Sequence, residues 1–272
     1  MTSAGPPASY YLRLPAAGSD VQRFRPTAHT AGAWQPGEQH MAPVSGILIH
    51  AIERFLAKRP NEWQLSRITY EILGLIPAAD FDITVEVVRP GRTIELVEAT
   101  MVSAGRACVR ARCWLLVRQD TTAVAGGEPA PLPGPEQASR WIGSTIWSGG
   151  YIAAVQVHPL PGGQPGRTQA WLRTDIGLVE GEPVSELARY IGLVDTANGI
   201  AVRTPPGEWM FPNVDLSIHL FRTPRGAWVG LDTTVIFGRD GVGLTTSWLH
   251  DLDGPVGRAE QILTIRAIPP AP

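Results

Sequence analysis

A plan that occurs twice is the feature that most constrains the fold of this chain. The two copies flank residues 120–135, where the run Gly-Gly-Glu-Pro-Ala-Pro-Leu-Pro-Gly-Pro is too rich in proline and glycine for regular structure and predicts a linker. On each side, apolar residues at helical spacing predict one helix, over 41–58 and over 183–200, and four strand-like runs follow it. This order predicts an α+β protein of two similar halves, each with an antiparallel sheet around its helix.

Turn residues set the limits of the predicted strands. Both helices open on Pro-Val-Ser, and Pro183 and Gly199 are expected to mark the two ends of the second helix. A strand before each helix is expected within 10–31 for the first half, and within 150–157 and 168–173 for the second. The strands after the helices are predicted at 64–75, 81–89, 93–103 and 106–118, and at 209–222, 226–237, 241–250 and 256–266.

Composition excludes several classes of partner. The 272 residues are 44% hydrophobic, which is enough for the core of one large or two smaller domains. The net charge of −2 gives no electrostatic basis for binding nucleic acid or an acidic membrane. No apolar run approaches the roughly 20 residues that span a bilayer, and the first residues lack the pattern of a secretory signal, so we expect no membrane insertion. Cys108 and Cys113 point to opposite faces of one predicted strand and are not expected to pair, which favours a cytoplasmic location.

A primary amide interrupts the apolar face of the last predicted strand. Side chains alternate along a strand, so Gly257, Ala259, Gln261 and Leu263 share one face, and Gln261 is its polar member. A buried amide without partners costs about 1–3 kcal/mol. Gln261 is therefore either a core residue with satisfied hydrogen bonds or part of a site.

Two more polar residues fall where they could join Gln261. Asp195 lies one turn beyond Ile191, at the edge of the apolar stripe of the second helix, where a carboxylate is either exposed or buried and paired. Asn213 follows Pro212 at the start of a strand and could reach the helix end, although alone it would be an ordinary strand-entry residue.

The first half lacks this trio. The repeat offset places Phe55 opposite Asp195 and Ser66 opposite Asn213, and it places Cys113 or Trp114 opposite Gln261. A trio that was needed to build the fold should recur in both halves. The asymmetry favours one chemical site per chain, located in the second half.

At these residues the chain resembles the acyl-CoA thioesterase II (TesB-type) family, whose members are double hot-dog proteins. Residues 213–222 resemble that family's Thr-Ile-Asp-His-Ser strand, residues 256–266 its terminal strand with a Gln, and residues 190–195 its helix segment ending in Asp. Residues 44–48 resemble the small-residue opening of the hot-dog helix. The resemblance implies an N-terminal hot-dog domain at 8–119, a linker at 120–138 and a C-terminal hot-dog domain with the site at 139–268.

The resemblance also implies a function. The family's Asp, Thr or Ser, and Gln around one water molecule carry over onto Asp195, Asn213 and Gln261 of an acyl-CoA thioesterase, which forms free fatty acid and CoA without cofactor or metal. Asn213 is a departure, because an amide lacks the freedom of a hydroxyl to donate or accept at one atom. Ser45 and Gly46 are assigned as donors to the thioester oxygen, at a helix start where small side chains permit close approach. A role in fatty acid metabolism and a homo-oligomer are also expected.

Other catalytic classes have weaker support. The chain has no Gly-x-Ser-x-Gly, His-Glu-x-x-His or phosphate-loop pattern, and His40, His50 and His219 are expected to be structural. A hot-dog hydratase or dehydratase would show a His shortly after Asp195, where Thr-Ala-Asn-Gly stands instead. A noncatalytic acyl-binding protein would keep the pocket, and the departure at Asn213 leaves that alternative open.

Overall fold

The structure is a computed structural model that describes residues 9–16, 18, 20–35, 37–59, 62–141 and 146–268. Its helices are α1 Met41–Leu56, α2 Gly150–Ala154, α3 Glu186–Val194 and α4 Ala197–Ile200. The strands of the first half are β1 Ser9–Leu14, β2 Val21–Pro26, β3 Trp63–Ile72, β4 Phe81–Arg89, β5 Ile94–Ser103 and β6 Arg106–Val117. Those of the second half are β7 Val155–Pro159, β8 Arg167–Thr174, β9 Gly177–Val179, β10 Trp209–Met210, β11 Asp215–Leu220, β12 Val229–Phe237, β13 Val242–Asp251, β14 Gly254–Thr264 and β15 Arg266–Ala267.

The two halves contribute their strands to one sheet in the same order. From the middle outward, the first half runs β3-β6-β5-β4-β2-β1 and the second runs β11-β14-β13-β12-β8-β7. The halves join where β3 pairs antiparallel with β11, with Ile68 opposite Ile218. At the far end of the first half, β9 pairs parallel with β1, so a short strand of the second half extends the sheet there. The predicted α+β repeat is confirmed.

The two long helices meet at a pair of glycines. A Cβ on Gly46 of α1 would lie 2.9 Å from the Ala188 carbonyl oxygen and 3.0 Å from Gly192 Cα on α3. The Ser45 hydroxyl, fully buried beside this contact, lies 2.7 Å from the Ala42 carbonyl oxygen and 2.9 Å from that of Ile191. The absence of a Cβ at Gly46 therefore allows α1 and α3 to pack with their backbones close together. Residues 41–52 of α1 are all buried.

The second helix is shorter than predicted at both ends. It begins at Glu186 rather than at Pro183, and the hydroxyl of its N-cap, Ser185, accepts from the Ala188 amide at 2.9 Å. The helix ends at Val194 because the amide and hydroxyl of Thr196 both donate to the Leu193 carbonyl, which tightens the last turn. Gly199 therefore lies in the separate short α4 and is not a C-cap. Asp195 becomes the C-terminal cap of α3 instead of an interior helix residue.

The strand predicted at 209–222 is divided. Residues 209–210 pair with β15 in a separate two-stranded sheet, whereas 215–220 belong to the main sheet. Pro212 has no amide hydrogen to donate, and Asn213 makes an isolated bridge with Leu263 between the two strands.

The proline- and glycine-rich segment is exposed and has two short 3₁₀ turns, at 122–124 and 135–137. The Trp171 indole donates to the Pro133 carbonyl at 2.7 Å and so ties the segment to the second half. The division into domains at residues 120–138 stays a prediction. Within the described residues, no helix combines the length and the hydropathy needed to cross a membrane.

Candidate active site

Asp195 is a buried carboxylate at the end of α3. The residue is 5% exposed, and its position follows from the Thr196 turn that ends the helix one residue earlier. Its two side-chain oxygens have different polar neighbours: amide donors lie at Oδ1, and a histidine lies at Oδ2. The two oxygens can therefore take different parts in a reaction.

Two primary amides donate to the same oxygen of Asp195. Asn213 Nδ2 lies 2.9 Å from Asp195 Oδ1, and Gln261 Nε2 also lies 2.9 Å from it. Asn213 Nδ2 has a second acceptor, the Asp215 carbonyl oxygen, at 2.9 Å. The structure therefore brings Asp195, Asn213 and Gln261 together, and both amides contact the carboxylate itself.

The inner face of β14 is as the sequence predicts. Gly257, Ala259, Gln261 and Leu263 are buried, whereas the alternating residues are exposed. Gln261 is 1% exposed, and its Oε1 has no hydrogen-bond partner among the described residues. Since Nε2 is the atom that contacts Asp195, the amide acts here as a donor to the carboxylate.

The second oxygen of Asp195 faces a histidine from the start of the other helix. His40 Nδ1 lies 3.5 Å from Asp195 Oδ2 and also accepts from the Ala42 amide at 3.0 Å as the N-cap of α1. The His40 ring packs on Tyr151, with 4.3 Å between ring centroids. His40 was expected to be structural, and its place beside Asp195 was not predicted from the sequence. A histidine directly before a helix, where Ser, Thr, Asp and Asn are the usual caps, was the available signal.

Burial moves the proton affinities of this pair in opposite directions. It raises the pKa of Asp195 to about 6, and the hydrogen bonds from Asn213 and Gln261 only partly oppose that effect. Burial also lowers the pKa of His40 to about 4. At pH 7 the carboxyl group is therefore largely ionised and the imidazole is neutral, which suits Asp195 to accept a proton near neutral pH.

A cavity of about 380 Å³ lies beside Asp195, His40 and Asn213. This volume is within the range of small-molecule sites, roughly 300–1,000 Å³. Trp34 and Trp147 line it, with their rings edge to face at 5.0 Å. The other apolar lining residues include Ile76, Trp141, Ile152, Val157, Ile200 and Met210.

Ser45 and Gly46 do not line this cavity. The Ser45 hydroxyl is directed at two carbonyl oxygens in the contact between α1 and α3, and Gly46 faces Gly192 and Ala188 across that contact. The small side chains do permit a close approach, but the partner that approaches is the second helix. The assignment of these residues as thioester-oxygen donors is corrected accordingly.

Comparison of the sequence with known families decides the class of protein. Residues 120–265 match the acyl-CoA thioesterase C-terminal domain, and residues 30–116 match the acyl-CoA thioesterase N-terminal domain. The chain belongs to the acyl-CoA thioesterase family. It is a thioester hydrolase. No curated protein sequence matches the chain.

Solved structures share the fold of this acyl-CoA thioesterase family member at low sequence identity. A protein of unknown function with a hot-dog fold from Alicyclobacillus acidocaldarius has a TM-score of 0.75 and 14% identity, over 93% of this chain and 96% of its own. The acyl-CoA thioesterase II TesB2 from Mycobacterium marinum has a TM-score of 0.66 and 14% identity, over 95% and 97%. The tesB protein of Mycobacterium avium subs. paratuberculosis has a TM-score of 0.66 and 14% identity, over 93% and 95%. The fold is a double hot-dog, as the resemblance implied.

No group of three or more His, Cys, Asp or Glu side chains placed to hold a metal ion occurs in the part of the chain that the structure describes. Both cysteines are buried and free.

Proposed function

We propose that this chain hydrolyses fatty acyl-CoA to the free acid and CoA, with Asp195 as the general base that activates a water molecule. The observation that carries the proposal is the asymmetric pairing of one buried carboxylate. Two amides donate to Oδ1, Oδ2 has no donor among the described residues, and Asp195 lines the cavity. The amides orient the group and leave its other oxygen to accept a proton.

The reaction that this arrangement supports is a water attack on the thioester. The water oxygen bonds to the carbonyl carbon, a water proton moves to Asp195 Oδ2, and the π electron pair moves onto the carbonyl oxygen. When that pair returns, the carbon–sulfur bond breaks with its electrons on sulfur. Asp195 then gives its proton to the CoA thiolate, which restores the carboxylate and leaves free acid and free thiol.

The wall of the cavity supports an acyl substrate. Trp34 and Trp147 line it, and Phe211 packs against both rings at 5.2 Å and 5.8 Å. Aromatic side chains provide large apolar contact areas. Asp195, His40 and Asn213 contribute polar groups to the same cavity. We therefore place the acyl chain against the tryptophans and the thioester beside the carboxylate.

A panel of acyl-CoAs of different chain length, assayed for release of free thiol, tests this function. The proposal requires turnover of at least one of them that far exceeds spontaneous hydrolysis. Asp232→Asn is a suitable control, because that carboxylate lies on β12 outside the cavity and pairs with Arg167. Binding of acyl-CoAs without turnover of any would favour the acyl-binding alternative. A cytoplasmic location, a role in fatty acid metabolism and a homo-oligomer stay predictions from the sequence.

The rate should depend on pH through Asp195. A base acts only when ionised, and the pKa of Asp195 is raised to about 6, so activity should be present above that pH and be lost as the pH falls through it. His40, with a pKa of about 4, titrates too low to cause this loss. The measurement is kcat/KM against pH, and a rate that stays level down to about pH 4.5 would remove Asp195 as the base.

Substitution of Asn213 separates its role as a donor from its shape. Asn213→Thr restores a hydroxyl that can donate to Asp195, so turnover should be retained or raised. Asn213→Val has nearly the shape of threonine but no donor, so Asp195 Oδ1 loses one of the two hydrogen bonds that orient the carboxylate. Misplacement of a catalytic group predicts a loss of roughly tenfold or more in rate. Equal rates for the two variants would contradict the role of Asn213 as a donor.

A further inference from the structure

Hydrogen bonds fix both the backbone and the side chain of His40. Its backbone amide donates to the Thr30 carbonyl at 2.8 Å, and the neighbouring Gln39 amide donates to the Ile76 carbonyl at 2.8 Å. The side chain lies across the start of α1, where Nδ1 accepts from the Ala42 amide. The imidazole is therefore fixed at the N-terminus of one long helix, facing the C-terminus of the other.

The hydrogen bond from Ala42 determines which ring nitrogen carries the proton. A nitrogen that accepts from an amide presents a lone pair, so Nδ1 is unprotonated and the neutral ring has its hydrogen on Nε2. The positive end of the helix dipole and burial both disfavour the charged ring, in agreement with the lowered pKa of His40. His40 is therefore a neutral donor at Nε2.

This tautomer excludes a proton relay from His40 to Asp195. At 3.5 Å, Nδ1 and Oδ2 are two acceptors with no hydrogen between them when Asp195 is ionised. Tyr151 of α2, whose pKa is raised well above its usual value by burial, packs on the ring, and the charged residues Glu38 and Arg266 line the same cavity. Tyr151 stays neutral and holds the ring by stacking.

One nitrogen of the His40 ring is left without a protein partner in the part of the chain that the structure describes. The His40 side chain is 17% exposed and lines the cavity beside Asp195, and Nε2 has no hydrogen-bond partner among the described residues. A donor beside a general base is what a thioester needs, because negative charge develops on the carbonyl oxygen as the water attacks. A neutral imidazole at a helix N-terminus can serve as such an electrophile.

The geometry points to His40 as a catalytic residue: we propose that its Nε2–H donates to the thioester carbonyl oxygen and stabilises the oxyanion while Asp195 takes the proton of the water. This inference rests on the proposed thioester hydrolysis. It assigns to His40 the task that Ser45 and Gly46 cannot perform from the helix contact.

His40→Asn tests the role without removing the helix cap. Asparagine is a favourable N-cap, so the Ala42 amide keeps an acceptor while the imidazole donor is lost. We expect kcat to fall by about 10²–10³-fold with little change in KM, the usual scale for one oxyanion donor. The melting temperature should stay near that of wild type, whereas His40→Ala should be slow and also less stable. Turnover of His40→Asn within a few-fold of wild type would overturn the proposal.

Two spectroscopic measurements test hydrogen-bond donation by His40 Nε2 without requiring turnover. Nitrogen NMR should show His40 neutral at pH 7 with its hydrogen on Nε2, and a hydrogen on Nδ1 would contradict the inference.

In the slow Asp195→Asn variant with bound acyl-CoA, the thioester C=O stretch should lie at lower wavenumber than in water, and adding His40→Asn should remove that shift. An unshifted stretch would contradict donation by His40. Lack of turnover by wild type with a shifted stretch would instead overturn the proposed hydrolysis and leave His40 as a donor to the bound thioester.

Discussion

Asparagine in place of Asp195 is expected to lower acyl-CoA hydrolysis by about 10²-fold or more, the usual scale for a positioned general base. The replacement keeps the shape of the side chain, and its amide oxygen can still accept from Asn213 and Gln261, so the cavity wall should be preserved. Binding of an unreactive acyl-CoA analogue should therefore be nearly unchanged. Wild-type turnover by a folded Asp195→Asn variant would remove Asp195 from the mechanism.

The same substitution should stabilise the fold at alkaline pH. The pKa of Asp195 is raised from about 4 in the unfolded chain to about 6 in the folded one, so the folded state binds the proton more tightly. Ionisation of Asp195 therefore does not lower the free energy of unfolding below about pH 4. It lowers that free energy progressively between about pH 4 and 6, and by its full amount at higher pH. At 1.36 kcal/mol for each pKa unit, the penalty is about 2–3 kcal/mol.

Urea unfolding at two pH values measures this effect. At pH 8, Asp195→Asn should have the larger free energy of unfolding by about 2–3 kcal/mol, and near pH 4 the difference should be much smaller. The new amide can also donate a hydrogen bond to His40 Nδ1, whereas the carboxylate offers only an acceptor there. This contact should further raise the free energy of unfolding of the variant. A variant that is less stable than wild type at pH 8 would contradict the raised pKa.

Alanine at Gly46 is expected to destabilise the protein, because overpacking a close contact usually costs about 1–3 kcal/mol. The added Cβ would lie 2.9 Å from the Ala188 carbonyl oxygen and 3.0 Å from Gly192 Cα, and backbone atoms cannot move aside as a flexible side chain can. This cost must exceed the roughly 1 kcal/mol by which alanine is favoured over glycine in a helix. The free energy of unfolding measures the net effect.

Gly192→Ala on the facing helix is the matched control. Its Cβ would lie 3.6 Å from Gly46 Cα and 3.8 Å from the Ala42 carbonyl oxygen, which are ordinary contacts. Helix propensity should then prevail, so Gly192→Ala should be neutral or stabilising by up to about 1 kcal/mol. Equal effects of the two substitutions would contradict the asymmetry of this helix contact.

Much of the fold could be predicted because its signals are local. The period of apolar residues and the turn residues predicted α1, β4 and β6 to within a few residues of their observed bounds. Side-chain alternation and turn chemistry depend on near neighbours in the chain, so they can be recognised from the sequence. The end of α3 was missed. Its apolar pattern continues past Asp195, whereas the helix stops because the Thr196 hydroxyl competes for the Leu193 carbonyl.

The candidate site divides in the same way. The sequence alone determined that Gln261 interrupts an apolar strand face, that Asp195 lies at the edge of an apolar stripe, and that the first half has no such trio. Only the tertiary structure decided that both amides donate to Oδ1 of Asp195, that His40 faces Oδ2, and that Ser45 and Gly46 serve the contact between helices. These contacts join residues that are far apart in the chain. A residue's type shows which hydrogen bonds it can donate or accept. The packing of the two helices against the sheet decides which partner lies within hydrogen-bond distance.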